Sequence, residues 1–231
     1  MKTIGLIGGM SWESSAVYYN LINRKVREVL GGFYCAKSIL VTVQFAEIQE
    51  LQYAEDWKAL EKIMVKSANQ LEAAGADFVI LCTNTMHLCS PAIIENITIP
   101  FLHIAEATGL KIAKMGLKKV ALLGTRFTME KDFYKTYIHN RFGIEVIIPS
   151  EKEREQIHNT IYQELVQGLI KDDSRAKFQQ IIANLEIQGA EGVILGCTEI
   201  PLLIKQTDVN IPVLDTTAIH AEKAVEWALQ S

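Results

Sequence analysis

Short apolar runs rich in β-branched residues recur at 3–7, 39–43, 78–82, 120–123, 145–148, 192–195 and 213–214. Each predicts a strand. The intervals between them carry helical spacing. Over 57–74, Trp57, Leu60, Ile63, Met64, Ala68 and Leu71 form one apolar stripe, and Gly75 offers a stop. Over 154–169, Ile157, Ile161, Leu165 and Leu169 recur every four residues, and a last helix is predicted from about Thr217 to Gln230. Strands alternating with helices predict an α/β fold of mostly parallel sheets with helices on both faces. In such sheets ligands bind beyond the carboxyl ends of the strands. The residues just after 78–82, 120–123 and 192–195 are therefore the ones to inspect.

The strand pattern is doubled. Ala76-Asp77-Phe78-Val79-Ile80-Leu81-Cys82-Thr83-Asn84-Thr85 reads like Ala190-Glu191-Gly192-Val193-Ile194-Leu195-Gly196-Cys197-Thr198-Glu199, and Thr83 falls on Cys197 at an offset of 114. Gly5-Leu6-Ile7-Gly8-Gly9 echoes Ala121-Leu122-Leu123-Gly124-Thr125. Ile99-Pro100-Phe101-Leu102-His103 echoes Ile211-Pro212-Val213-Leu214-Asp215. Two copies of this length fit a duplicated domain better than a solenoid; chance likeness between α/β units is the alternative. The expectation is two pseudo-symmetric, Rossmann-like lobes with an active site in the cleft between them. The boundary is expected near Met115-Gly116, giving an N-terminal lobe over 1–115 and a C-terminal lobe over 116–208. The C-terminal segment 209–231 is expected to pack back on the first lobe. Two small nucleophile-type residues facing one another suit removal and return of a proton on opposite faces of one carbon, which is the work of a racemase.

Composition narrows the partners. A chain of 231 residues with 49% hydrophobic content has ample material for its cores. A net charge of -4, without basic runs, speaks against nucleic acid. No apolar stretch is long enough to span a membrane, and the first nine residues read as a strand rather than a signal peptide. A cytoplasmic protein is expected, and Cys35, Cys82, Cys89 and Cys197 are expected as free thiols.

Several residues carry candidate chemistry. Gly8-Gly9-Met10-Ser11 lies between a strand and a helix, where backbone N–H groups can cradle a carboxylate; a tight turn with Ser11 as helix cap is the alternative. It matches neither a dinucleotide fingerprint nor a Walker A loop. Cys82-Thr83-Asn84-Thr85 and Gly124-Thr125-Arg126-Phe127-Thr128 are dense in hydrogen-bonding groups at strand ends, where capping alone is the competing role. Cys197, flanked by Gly196, Thr198 and Glu199, is the leading base candidate; a buried, inert thiol is its alternative. Cys82, His87 and Cys89 lack the second pair a closed tetrahedral metal site needs. His103 and His220 lie near strand ends, where a satisfied core histidine is the commoner outcome.

The chain resembles the aspartate/glutamate racemase family of cofactor-independent amino-acid racemases over essentially its whole length. The likeness rests on 5–14 (GLIGGMSWES), 82–87 (CTNTMH), 100–105 (PFLHIA), 123–130 (LGTRFTME) and 196–200 (GCTEI). The resemblance implies no pyridoxal phosphate, metal or nucleotide, an amino-acid substrate, a cytoplasmic location and a homodimer. It implies Thr83 and Cys197 as the catalytic pair, with Met10, Ser11, Trp12, Asn84, Thr85, Thr125, Thr128, Thr198 and Glu199 binding the substrate. Most members place a cysteine where Thr83 stands, so this chain is similar to the Thr/Cys subgroup, associated with L-aspartate/L-glutamate-specific or broader racemisation. Cys82 is one residue early, and a one-residue shift along a strand turns a side chain to the other face. By the same analogy Cys197, as a thiolate, takes the α-proton of the L-isomer. Basic residues for a side-chain carboxylate are not evident around 44–47 or 157–160. Related hydantoin racemases and maleate isomerases, or a binding protein that has lost the chemistry, are the rival readings.

Overall fold

The structure is a computed structural model that describes residues 1–230. The chain forms two compact units, one made of Met1–Ile104 with the residues from His220 onward, the other of Ala105–Ile219.

The first unit contains β1 (Ile4–Gly8), α1 (Trp12–Leu30), β2 (Ser38–Thr42), α2 (Phe45–Tyr53), α3 (Trp57–Ala73), β3 (Phe78–Leu81) and α4 (Ser90–Asn96). Its sheet runs β2-β1-β3, all parallel, with Ile7 opposite Leu81. β1 and β3 are apolar and buried at every position because both faces are covered, whereas β2, at the edge, is partly exposed. Side chains of one parity (Ile4, Leu6, Ile80, Cys82) pack with Tyr18, Ile22 and Val26 of α1 and with Ala221, Ala224, Val225 and Ala228. Those of the other parity (Ile7, Val79, Leu81) pack with Leu60, Met64, Ala68 and Leu71 of α3. The stripe expected over 57–74 is thus the buried face of α3.

The second unit contains α5 (Ile104–Lys114), which opens within the last residue of the first unit, then β4 (Lys119–Gly124), α6 (Arg126–Glu130), α7 (Asp132–Phe142), β5 (Glu145–Ile147), α8 (Glu151–Gln163), α9 (Asp172–Ile187), β6 (Val193–Gly196), α10 (Ile200–Leu203) and β7 (Val213–Asp215). Its sheet runs β5-β4-β6-β7, again parallel. Ala121, Leu123, Val193 and Leu195 join Ile157, Ile161, Phe178 and Leu185 in one core. α11 (Thr216–Leu229) begins in this unit and ends in the first.

The doubling extends to single hydrogen bonds. Val79 N–H donates to the Pro100 carbonyl at 2.9 Å, and Val193 N–H to the Pro212 carbonyl at 2.9 Å. Ala76 and Ala190 donate to Leu71 and Leu185, each at 3.0 Å, after glycines at φ 91° and 94°. The carboxylate of Asp77 accepts from Thr3 N–H, and that of Glu191 accepts from Lys118 and Lys119 N–H. A helix stop, an acidic latch and a buried apolar strand recur in the same order in both units.

The chain does not divide where the sequence suggests. α5 belongs with the second unit, because Thr108 Oγ1 accepts from Tyr134 Oη at 3.0 Å and Glu106 accepts from Tyr137 Oη at 3.0 Å and Arg141 Nε at 3.1 Å. The ring of Phe142 fills the space a side chain on Gly109 would need. At the other end, β7 pairs with β6, and Thr216 Oγ1 donates to the Leu195 carbonyl at 2.9 Å. Only from His220 onward does the chain join the first unit, through Tyr18 and through Trp227 on Phe78. The helix expected over 154–169 starts at Glu151 behind a Ser150 capping box and stops at Gln163; Leu165 enters a 3-10 turn and Leu169 is exposed.

Candidate active site

In the second unit, β4 and β6 lie side by side, with Gly124 opposite Gly196. Neither position has room for a side chain. A Cβ on Gly124 would lie 2.9 Å from the Gly196 carbonyl, and one on Gly196 would lie 3.0 Å from the Leu123 carbonyl; both would press on Thr128 at 3.2 Å. The glycines therefore bring the two strand ends, and the residues after them, close together. Thr125 Oγ1 accepts from Thr128 N–H at 3.3 Å and lies 3.1 Å from Thr128 Oγ1. Capping accounts for part of the role of this pair; both hydroxyls are buried.

Cys197 follows β6. It is 9% exposed and sits at the margin of the core formed by Leu195 and Ile200. Its Sγ donates to Glu199 Oε2 at 2.8 Å, and Thr198 Oγ1 donates to the same oxygen at 2.8 Å. Burial, and then the Glu199 carboxylate, push the thiol well above its ordinary range. In this arrangement the Cys197 thiol has its proton directed at the Glu199 carboxylate.

In the first unit, Thr83 is half-buried beyond β3, followed by buried Asn84 and Thr85. The Asn84 side chain does not cap the 3-10 turn Thr85–Cys89 that follows it. Cys82 points into the core with Ile80 and Tyr18, and burial raises its thiol far above the usual range. Cys89 lies in the other core of that unit, its thiol pushed up to about 12. The trio considered for metal is thus split between two cores. His87 is occupied as well: Nδ1 donates to the Thr83 carbonyl at 2.7 Å, and Nε2 accepts from Ile104 N–H at 3.1 Å. The sequence raised His87 only as a metal ligand. Its spacing of four from Thr83, one helical turn, was the signal for this bond.

The turn 8–11 is tightly packed. Gly9, at φ 92°, donates its N–H to Ser15 Oγ at 2.8 Å, and any Cβ there would strike the Val43 carbonyl. Ser11 caps α1 by accepting from Ser14 N–H at 3.4 Å. The expected anion cradle thus has its Gly9 N–H already spent. Met10 and Ser11 are buried, whereas Trp12 is 67% exposed. His103 and His220 are buried in the first unit rather than open to a ligand. Arg126 N–H donates to His158 Nδ1 at 3.3 Å, and its guanidinium lies 5.6 Å from the centre of the Phe127 ring. This basic group beside Thr125 was not recognised from the sequence. Among the described residues, no group of three His, Cys, Asp or Glu side chains is placed to hold a metal ion, and no helix is long and apolar enough to cross a membrane.

The broad specificity amino-acid racemase RacX of Bacillus subtilis (strain 168) is 28% identical over 174 residues, covering 75% of this chain and 74% of RacX. A solved structure from Yersinia pestis, assigned as an Asp/Glu racemase, is 47% identical, covers 100% of both chains and superposes with a TM-score of 0.95. An aspartate racemase homologue from Pyrococcus horikoshii OT3 is 37% identical, with the same full coverage and a TM-score of 0.88. Aspartate racemase from Picrophilus torridus, at 21% identity and a TM-score of 0.74, shares the fold, covering 99% of this chain and 94% of its own. The Asp/Glu/Hydantoin racemase family model matches residues 7–224, across both sheets, and the chain belongs to that family.

Proposed function

We propose that this chain is a cofactor-independent racemase that interconverts the L- and D-forms of aspartate, glutamate or both. The observation that carries the proposal is the Cys197 thiol donating to Glu199 at 2.8 Å, with Thr83 at the equivalent position of the duplicated unit. Glu199 takes the thiol proton as substrate binds. The thiolate then removes the α-proton, from the L-isomer by analogy with the family. Thr83, at the opposite face, passes a solvent-derived proton to the carbanion. The hydroxyls of Thr85, Thr125 and Thr198 and nearby backbone N–H groups stabilise the developing enediolate; such preorganised donors lower barriers by several kcal/mol. Met10, Ser11, Trp12, Asn84 and Thr128 complete the substrate contacts. A hydroxyl is a much weaker base than a thiolate, since its pKa lies far from neutrality. Abstraction from the L-isomer is therefore the faster direction. The protein works as a cytoplasmic homodimer.

A wider substrate range is the second reading, favoured by the likeness to a broad-specificity racemase. One experiment tests both. Purified protein without added cofactor is incubated in D2O with L- and D-aspartate and L- and D-glutamate, and with a panel of neutral amino acids, and α-proton washout is followed by NMR. Fast exchange from an acidic L-isomer supports the first reading, and equal exchange across the panel supports the second. Exchange from none, with hydantoins and maleate converted instead, would replace both with another isomerase of the superfamily. Thermal stabilisation by an amino acid without any exchange would point to a binding protein.

A further inference from the structure

Three buried histidines of the first unit form one cluster. The His87 and His103 ring centres lie 4.5 Å apart, and those of His87 and His220 5.8 Å apart. Two tautomers are fixed by their partners. His87 carries its proton on Nδ1, which donates to the Thr83 carbonyl, and leaves Nε2 to accept from Ile104 N–H. His220 carries its proton on Nε2, which donates to the Leu102 carbonyl at 2.9 Å, and Nδ1 accepts from Tyr18 Oη at 2.8 Å.

The anchors are the two places where the chain changes unit. Ile104 is the last residue of the first passage, and His220 is the first residue of the return. Leu102 and Ile104 are thus tied by His220 and His87 on either side of His103. The same His87 ring reaches the carbonyl of Thr83. A neutral imidazole has one donor and one acceptor, and His87 spends both on backbone groups, the Thr83 carbonyl and the Ile104 N–H.

We propose that His87 is a positioning residue: its imidazole fixes the Thr83 carbonyl, and so the aim of the Thr83 hydroxyl, using the backbone at the exit from the first unit as its anchor. The inference rests on the reading of Thr83 as the group that returns the proton. It gives His87 no contact with substrate. Its loss misaligns one face of the reaction only, since Cys197 is held separately by β6 and Glu199.

The test uses His87→Gln and His87→Asn in the full chain. Glutamine reproduces an acceptor near Nε2 but loses the donor to Thr83; asparagine keeps a donor near Nδ1. With the L-isomer in D2O, washout reports the Cys197 face, and appearance of the D-isomer reports delivery from the Thr83 face. His87→Gln is expected to lower D-isomer formation relative to washout by about tenfold to a hundredfold, the usual penalty for a misplaced reacting group. His87→Asn is expected to restore most of that ratio. Equal losses on both faces would mean a merely structural histidine and overturn the inference. Absence of exchange in the unsubstituted protein would instead overturn the racemase reading on which it rests. If His87→Gln does not fold, 15N NMR of the unsubstituted protein decides: a neutral, Nδ1-protonated His87 at pH 7 supports the inference, and an Nε2-protonated or charged ring overturns it.

Discussion

The Cys197 thiol donates to the Glu199 carboxylate across 2.8 Å, so the base proposed here rests in its protonated form. Removing the carboxylate takes away one cause of the raised thiol pKa. In a Cys35→Ser background, which deletes the exposed thiol, Glu199→Gln is expected to speed alkylation of Cys197 at pH 8. The same change is expected to slow α-proton exchange by about a hundredfold or more, the scale of general-base assistance. Cys197→Ala is expected to abolish exchange. Unchanged exchange in Cys197→Ala would end its assignment.

Thr83 stands at the position of the first unit that the repeat aligns with Cys197, where the family resemblance leads one to expect a cysteine. A thiol there supplies a group whose pKa lies nearer neutrality. Thr83→Cys is expected to raise exchange from the D-isomer and bring the two directions closer together. Thr83→Ala is expected to abolish D-isomer exchange while washout from the L-isomer continues. Deuterium uptake measured separately from each enantiomer checks both outcomes.

The histidine cluster sets a pH dependence. Burial is the first cause holding His87, His103 and His220 below the ordinary value of 6.5, His103 at about 3 and His220 at about 4. Unfolded, these groups titrate near 6.5, so below that pH the unfolded chain binds more protons than the folded one. Their neutral state therefore adds no destabilisation above pH 6.5, and stability is lost as pH falls from 6.5 toward the folded values. Each such histidine costs about 1.4 kcal/mol per pH unit in that window. Thermal melts are expected to show a falling Tm between pH 6.5 and 5. A constant Tm across that range would contradict the buried neutral cluster.

Gly196 is required by its neighbours. A Cβ there meets the Leu123 carbonyl at 3.0 Å, and a backbone atom in a paired strand cannot swing aside. Gly196→Ala is expected to destabilise the protein by about 1–3 kcal/mol, as overpacking does, and to lower exchange by displacing Cys197. Denaturant unfolding alongside the exchange assay separates the two effects. Gly143, with open space around it and a left-handed backbone at φ 66°, ψ 22°, is the control, as Gly143→Asn.

Local patterning determined the parallel α/β architecture and its doubling. Runs such as Val79-Ile80-Leu81 and Val193-Ile194-Leu195 bury both parities, and that demand is visible residue by residue. The same repeat aligned Thr83 with Cys197 and excluded Cys82, since the period of two along a strand decides which face a side chain takes. Tertiary structure alone decided the rest. The exchange points at Ile104 and His220 depend on Tyr134 reaching Thr108 and on β7 pairing with β6, contacts between residues far apart in sequence. The raised thiol of Cys197 depends on its burial and then on where the Glu199 carboxylate falls after the chain turns. The role of His87 depends on bringing Thr83 and Ile104 to opposite edges of one ring. Periodicity is a property of neighbours along the chain, whereas a hydrogen bond's donor and acceptor are matched only after distant segments have packed.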